Sequence, residues 1–340
     1  MQIVRTSDRQ MFKSCRRKWD LGSKIRQNLE PIRSPAAFEF GTAIHAGLEA
    51  YYDPRSWSTF SWSDRRQFAL DGFRRELAEQ LNARREPDTG AISLEDEMDF
   101  QERTLLGEGM LKHYCEYWQD KDTFTPLKTE IEFEVPVPGL QDTVYQGRID
   151  ALVEDQHGGY WIVDHKTRGQ FGGTDHYELD EQSGSYCWAL QEMLGLKIEG
   201  VIFNELLKSV PKKPELLVRG GLSKNRSQRT TYELYLQALK DNNIAPHDYL
   251  DFLEFLREKG NPFFRRIQVH RSQTELKNLG EQIRQEALDM FDPNLRIYPA
   301  PGMFNCMGCS YRLPCLAIND GSDVQWIIEA NFKKREEANV

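Results

Sequence analysis

Apolar residues in the first third of the chain recur every three to four positions, the spacing of one face of an α-helix. Thr6, Ser7 or Asp8 stands where a helix cap belongs, and Phe12, Cys15 and Trp19 follow at helical spacing. The stretch FEFGTAIHAGLEAYY predicts a second helix, and further helical patterns cover about 64–82 and 95–118. The period then changes to two. LKTEIEFEVPV (127–137), TVYQGRIDALVED (143–155) and GYWIVDHKT (159–167) read as three strands. The Gly-rich turn QHGG (156–159) makes the last two a hairpin. A helix at about 177–194 and an apolar strand IEGVIFNELL (198–207) come next.

Helix, three strands, helix, strand is the order of a mixed α/β (α+β) core, with a central mixed sheet flanked by helices, rather than of a doubly wound repeat. Residues 208–262 read as an insertion: a basic loop punctuated by Gly and Pro, then helical patterns near 228–241 and 246–258. FFRRIQVH (263–270) predicts another strand. Over 271–291, Leu276, Leu279, Ile283, Ala287 and Met290 make one apolar helix face. The tail YPAPGMFNCMGCSYRLPC reads as loop. The expected organisation is an N-terminal helical region (1–126), a core (127–207), the insertion (208–262) and a C-terminal helix with a Cys cluster (263–340), integrated into one domain.

At 340 residues the chain can bury a sizeable core. A net charge of −9 argues against a surface coated all round by nucleic acid, yet leaves room for a local basic groove. Arg16-Arg17-Lys18 is one basic segment; 208–229, with Glu215 its only acidic residue, is another. A charge run by itself is more often a solvated face. No apolar run approaches the ~20 residues of a membrane span, and MQIVRTSDRQMFKSCRRKW has no signal-peptide core. The expectation is a cytoplasmic protein, bacterial or in a virus-infected host cell, with no membrane partner. Its six cysteines would then stay reduced.

Candidate chemistry lies where two strands close on charge. Alternation puts Asp164 and Lys166 on one side of their strand and His165 on the other, and the hairpin can bring Asp150 beside Asp164. Two converging carboxylates repel unless a cation lies between them, and hard oxygen donors suit Mg2+ or Mn2+. A lysine there can orient a metal-bound water or stabilise charge on a phosphate. The His165 backbone carbonyl is a further donor. On flanking helices, Gly41 and His45, and Gln182 and Tyr186, each sit four apart on one face; either pair alone is an ordinary amphipathic pattern. Cys306, Cys309 and Cys315 cluster, with Cys15, Cys115 or Cys187 available as a fourth thiolate. Three clustered thiolates and one remote suit an iron–sulfur cluster somewhat better than zinc.

Together, GTAIH with His45, GRID with Asp150, DHK with Asp164 and Lys166, Q-x-x-x-Y with Gln182 and Tyr186, and the cysteines resemble the RecB-type branch of the PD-(D/E)XK nuclease superfamily, specifically its iron–sulfur members. Those include the AddB nuclease domain and the CRISPR-associated spacer-processing exonucleases. The resemblance covers roughly 1–50, 127–206 and 295–316. It implies a restriction-endonuclease-like core and a metal-dependent DNA nuclease with a structural [4Fe-4S] cluster on Cys15, Cys306, Cys309 and Cys315, joining the chain ends. It further implies that His45, Asp150, Asp164 and the His165 carbonyl bind Mg2+ or Mn2+. Lys166 would assist the attacking water, with Gln182 and Tyr186 supporting the lysine or the DNA. The middle acid is Asp164 where many relatives carry Glu; both bind hard cations. Glu130 or Glu132 on the first strand could also reach the metal.

The expected activity is exonucleolytic, on single-stranded DNA or DNA ends, in DNA repair or recombination, with a helicase or recombination partner for any unwinding. Arg16, Arg17, Lys212, Lys213, Lys224, Arg226 and Arg229 are candidate DNA contacts. The rival readings are a catalytically silent DNA-binding scaffold subunit with the same fold, and a nuclease stapled by Zn2+.

Overall fold

The computed structural model describes residues 1–32, 36–85 and 89–335, and of 36–38 the backbone alone. The elements run β1 (Gln2–Arg5), α1 (Thr6–Ser14), α2 (Arg16–Gly22), β2 (Leu29–Pro31), α3 (Ala36–Tyr51), α4 (Pro54–Thr59), α5 (Trp62–Asn82) and α6 (Leu94–Trp118). There follow β3 (Phe124–Pro136), β4 (Thr143–Asp155), β5 (Tyr160–Arg168), α7 (Glu181–Leu194) and β6 (Ile198–Leu207). The remainder comprises α8 (Tyr232–Asp241), α9 (Leu250–Lys259), β7 (Phe264–His270), α10 (Gln273–Phe291), α11 (Met303–Cys306), α12 (Arg312–Asp320), α13 (Val324–Asn331) and β8 (Phe332–Lys334).

Six strands form one mixed sheet. β3, β4 and β5 are antiparallel neighbours, β6 lies parallel to β5, and β7 closes the far edge. β4 is shared unequally. β3 runs along one whole side of it, so its other side receives β1 over Thr143–Gln146 and β5 over Ala151–Glu154. Between those two ladders the sheet forks, and residues 147–150, GRID, line the gap.

Each face of the sheet carries a helical layer. Ile162, Val201 and Phe203 pack with Phe12 of α1, Trp188 of α7 and Ile283 of α10. Trp161, Val163 and Ile202, pointing the other way, pack with Ile44 of α3, Phe73 of α5 and Leu111 of α6. The five apolar positions predicted for α10 are all buried. Two glycines set how closely α3 and α5 approach: a Cβ on Gly47 would lie 2.9 Å from Ala69 O, and one on Gly72 2.8 Å from Ala46 O.

Several local expectations are revised. The chain opens with β1, four residues too short for period-two patterning to stand out. The predicted first helix is two helices, because Cys15 is extended (φ −166°, ψ 114°) and takes its thiol out of the helical face shared by Phe12 and Trp19. Asp150 lies inside β4, not at its end. The C-terminal tail holds the short helices α11 and α12 where loop was expected.

Candidate active site

The fork in the sheet is where the charged residues gather. Alternation along β4 changes phase at Asp150: Ile149 packs with the α7 and α10 layer, whereas Ala151 and Val153 pack with α3 and α6. Opposite, between the Thr129–Ala151 and Ile131–Ile149 pairs, Glu130 holds φ at +46°, a strained region for a residue other than glycine. Gly147 sits where a side chain has no room; a Cβ there would lie 2.5 Å from the Phe133 ring and 3.0 Å from Thr6 Oγ1.

Asp150 Oδ2 accepts a hydrogen bond from His165 N at 2.7 Å, tying β4 to β5 at the fork. His45, on α3, brings Nδ1 to 3.4 Å from Asp150 Oδ1. Gly41, one turn earlier, faces Thr167 of β5, where a Cβ would lie 3.6 Å from Oγ1. Lys166 Nζ reaches both oxygens of Asp164, at 3.0 and 2.8 Å. The two residues share a side of β5, as alternation predicts, and His165 points the other way, its ring stacked on Tyr52 with centroids 5.9 Å apart.

The electrostatics follow from burial and proximity. Burial opposes charge on Asp150, but His45 and the His165 N–H outweigh it and hold this carboxyl well below the usual range. Asp164 goes the other way: burial, only partly offset by Lys166 and reinforced by Asp150, pushes its carboxyl up to about 6. Burial works against the charged forms of His45 and Lys166, yet Asp150 raises the first and Asp164 the second. The His165 imidazole is pushed down to about 3 by burial, so it is neutral at ordinary pH.

Gln182 and Tyr186 stand together on α7, with Gln182 Nε2 donating to Tyr186 Oη at 2.8 Å and Gln10 Nε2 donating to Gln182 Oε1 at 3.0 Å. Burial pushes the Tyr186 hydroxyl up to about 12, and the Asp164 charge contributes to that shift. Sequence reasoning passed over the support behind His165. Asn204 of β6 pairs with His165 Nδ1 at 2.8 Å. Arg266 of β7 reaches Asn204 Oδ1 (3.4 Å), Tyr52 Oη (2.8 Å) and Asp122 (2.5 Å). No spacing rule links these residues; their one visible signal is polar side chains inside strongly apolar strands.

Among the described residues, no three His, Cys, Asp or Glu side chains are gathered tightly enough to hold a metal ion as they stand. In the acidic fork the ammonium of Lys166 takes up Asp164, whose Oδ2 is buried without a hydrogen bond of good geometry. Two neighbouring carboxylates, of which Asp164 is buried and raised by that burial, are the donor set a hard divalent cation fits.

The cysteines at the chain ends also meet. Cys15 Sγ accepts a hydrogen bond from Ala300 N at 3.3 Å, and Asn305 Nδ2 donates to Ser14 O at 3.2 Å. Burial raises the Cys315 thiol, and Cys15, Cys309 and Cys306 all bear on it electrostatically. Cys115 and Cys187 are buried in the two cores, away from this group. Arg16 lies over the rings of Phe12 and Tyr298, and Arg17 reaches Ile297 O at 3.5 Å. Lys212, Lys213, Lys224, Arg226 and Arg229 are exposed on the insertion.

A mixed sheet that splits beside two carboxylates and a lysine, with helices on both faces, defines a restriction-endonuclease-like α/β protein. The family model of the PD-(D/E)XK nuclease superfamily matches residues 6–315, and the chain belongs to that superfamily. A search of curated proteins returns no significant match. Among solved structures, the crystal structure of SSO0001 aligns with 83% of this chain and 95% of its own at 12% identity, with a TM-score of 0.32. Protein VC1899 from Vibrio cholerae aligns with 75% of this chain and 57% of its own at 14% identity and a TM-score of 0.18. These structural likenesses are weak, and the family assignment stands on the sequence model.

Proposed function

We propose that this protein is a Mg2+- or Mn2+-dependent deoxyribonuclease of the RecB/AddB iron–sulfur type, an exonuclease acting on single-stranded DNA or DNA ends. The observation that carries the reading is the meeting of Asp150, Asp164 and Lys166 at the fork, with His45 bonded to Asp150. His45, Asp150, Asp164 and the His165 carbonyl would hold the divalent ion, which when bound polarises a phosphate and lowers the pKa of a water. Lys166 keeps its proton and offers a fixed positive charge to the phosphate under attack. Asp164 orients that ammonium, while Gln182 and Tyr186 line the neighbouring turn of α7. Arg16, Arg17 and the exposed cations of 208–229 would take backbone phosphates.

Cys15, Cys306, Cys309 and Cys315 would hold a [4Fe-4S] cluster whose part is structural, fastening the two chain ends; Zn2+ is the alternative occupant. Any processive unwinding falls to a helicase or recombination partner, because the sequence has no G-x-x-x-x-G-K-[ST] loop.

The test is cleavage of 5′- and 3′-end-labelled single- and double-stranded DNA with Mn2+, using the intact protein, Asp164→Ala and Lys166→Ala. Each substitution should cost at least ~100-fold in rate without lowering the melting temperature appreciably. Undiminished cleavage in both variants overturns the assignment. An inert wild type favours the scaffold reading. A brown anaerobic preparation supports iron–sulfur ligation, and a colourless one with stoichiometric zinc replaces it.

A further inference from the structure

The insertion 208–262 begins beside the acidic fork. Lys208 N donates to Arg168 O at 2.7 Å, so the chain leaves the sheet next to the β5 end that carries Lys166, two residues away. It then builds a tight hairpin. Leu216 bridges antiparallel to Leu222, Ser223 N donates to Glu215 O at 2.8 Å, and Leu217 N donates to Gly221 O at 2.9 Å. Gly220 and Gly221 supply the turn with φ of 81° and 85°, where a Cβ would be strained.

Base and tip differ. Leu222 is buried against α8 and α9, and its N–H donates to Tyr249 Oη at 2.9 Å. A Cβ on Gly221 would lie 2.6 Å from the same hydroxyl, so the hairpin is seated firmly. Leu216, Leu217 and Val218 nonetheless point into solvent, 60%, 47% and 107% exposed, with Arg219 exposed beside them. An anchored turn that displays three adjacent aliphatic side chains keeps an apolar surface for something outside the chain.

The surrounding charge selects that occupant. Segment 208–229 carries seven basic residues against Glu215, on a chain of net charge −9. Lys213 is paired with Asp241, while Arg226 lies over Phe255 and Lys224 over Tyr249, neither with an acidic partner among the described residues. An apolar tip on a segment rich in exposed cations complements the exposed face of a terminal base pair, which is flat, apolar and bordered by phosphates.

We propose that the Leu216–Arg219 tip is a pin that seats on the terminal base pair of a DNA duplex and opens it, the flanking cations holding the phosphates, so that one strand is passed to the fork. This rests on the nuclease reading above and adds how a duplex end is engaged. The decisive measurement uses a blunt duplex with 2-aminopurine in its terminal pair, which brightens when unstacked. Bound by Lys166→Ala in EDTA, the duplex should brighten; bound by the same protein carrying Leu217→Ser and Val218→Ser, it should stay dim, with affinity for a single-stranded oligonucleotide changed less than about twofold. In the active protein with Mn2+, the same two substitutions should slow blunt-duplex digestion by roughly tenfold or more and leave single-strand digestion nearly unchanged. No brightening with the parent, equal brightening with and without the tip, or equal slowing on both substrates overturns the pin. A wild type that cuts neither DNA defeats the nuclease reading, and the fluorescence arm still decides the pin.

Discussion

At the residue scale, the site is built from buried charge held in opposed states. Asp150 is kept ionised by His45 and the His165 N–H, whereas Asp164, a neighbour across the same fork, is held up to about 6 by burial. A cation binds the ionised carboxylate and must displace any proton on it. Mn2+ affinity should therefore fall as pH drops through about 6 and, because His45 in the same set is raised above its ordinary 6.5, go on rising above that value until the imidazole is neutral. Calorimetric titration across pH 5 to 8 checks this, and an affinity that is level throughout places Asp164 outside the metal set. The sign for folding is the reverse of that for a salt-bridged carboxylate. Between its ordinary value of 3.8 and about 6, Asp164 holds more protons folded than unfolded, so without metal its contribution to stability declines as pH rises through that window.

At the element scale, the fork depends on what keeps β1, β4 and α1 in place. Gly147 admits no side chain beside Phe133 and Thr6. Gly147→Val should cost about 1–3 kcal/mol by overpacking and misplace Asp150, lowering cleavage more than stability; urea unfolding and a rate measurement on one sample separate the effects. On the far side, α1 is fastened to α10 by Arg9, whose Nε lies 2.5 Å from Glu286 Oε2, with Lys13 at 3.2 Å from the same carboxylate. Burial raises the Glu286 carboxyl, but the Arg9 hydrogen bond and charge outweigh it and hold it below its ordinary 4.5. The unfolded chain then binds more protons than the folded one in that window. The stability from this pair is complete above pH 4.5 and is lost as pH falls through the depressed folded value. Glu286→Ala, which leaves the buried Arg9 with only its 4.0 Å contact to Glu181, should cost roughly 2–4 kcal/mol at pH 7 and flatten the acid limb of a stability–pH curve.

At the scale of the whole molecule, the chain ends are joined by little apolar packing. Leu21, Leu29, Tyr311 and Phe332 make a small cluster, and β2 pairs with β8 over three residues. The four cysteines gather beside it. If they hold a cluster, Cys306→Ser should bleach the visible absorption and lower the melting temperature by several degrees, with proteolysis beginning in the last forty or so residues while the β-sheet core persists. Unchanged melting in a bleached protein would remove the stapling role.

Much of the core was legible in the sequence because its periods are clean. The bounds of β4 are those its alternation predicts, those of β6 are those of its apolar run, and β5 is displaced by one residue. Asp164 beside Lys166 followed from period two, a local rule of backbone geometry, whereas His45 and Tyr186 sit in ordinary amphipathic patterns that only the family resemblance singled out. The resemblance carried by the sequence also led to the expectation of a hard cation and a phosphate at this site. Tertiary structure decided the rest. That β1 and β5 share one side of β4, that alternation changes phase at Asp150 opposite a strained Glu130, and that Asn204 and Arg266 stand behind His165 are all results of long-range pairing. The GRID stretch carries the same letters whether it lines a fork or an unbroken ladder. Only the strands laid beside it determine which backbone groups are left unpaired, and hence where the two carboxylates meet.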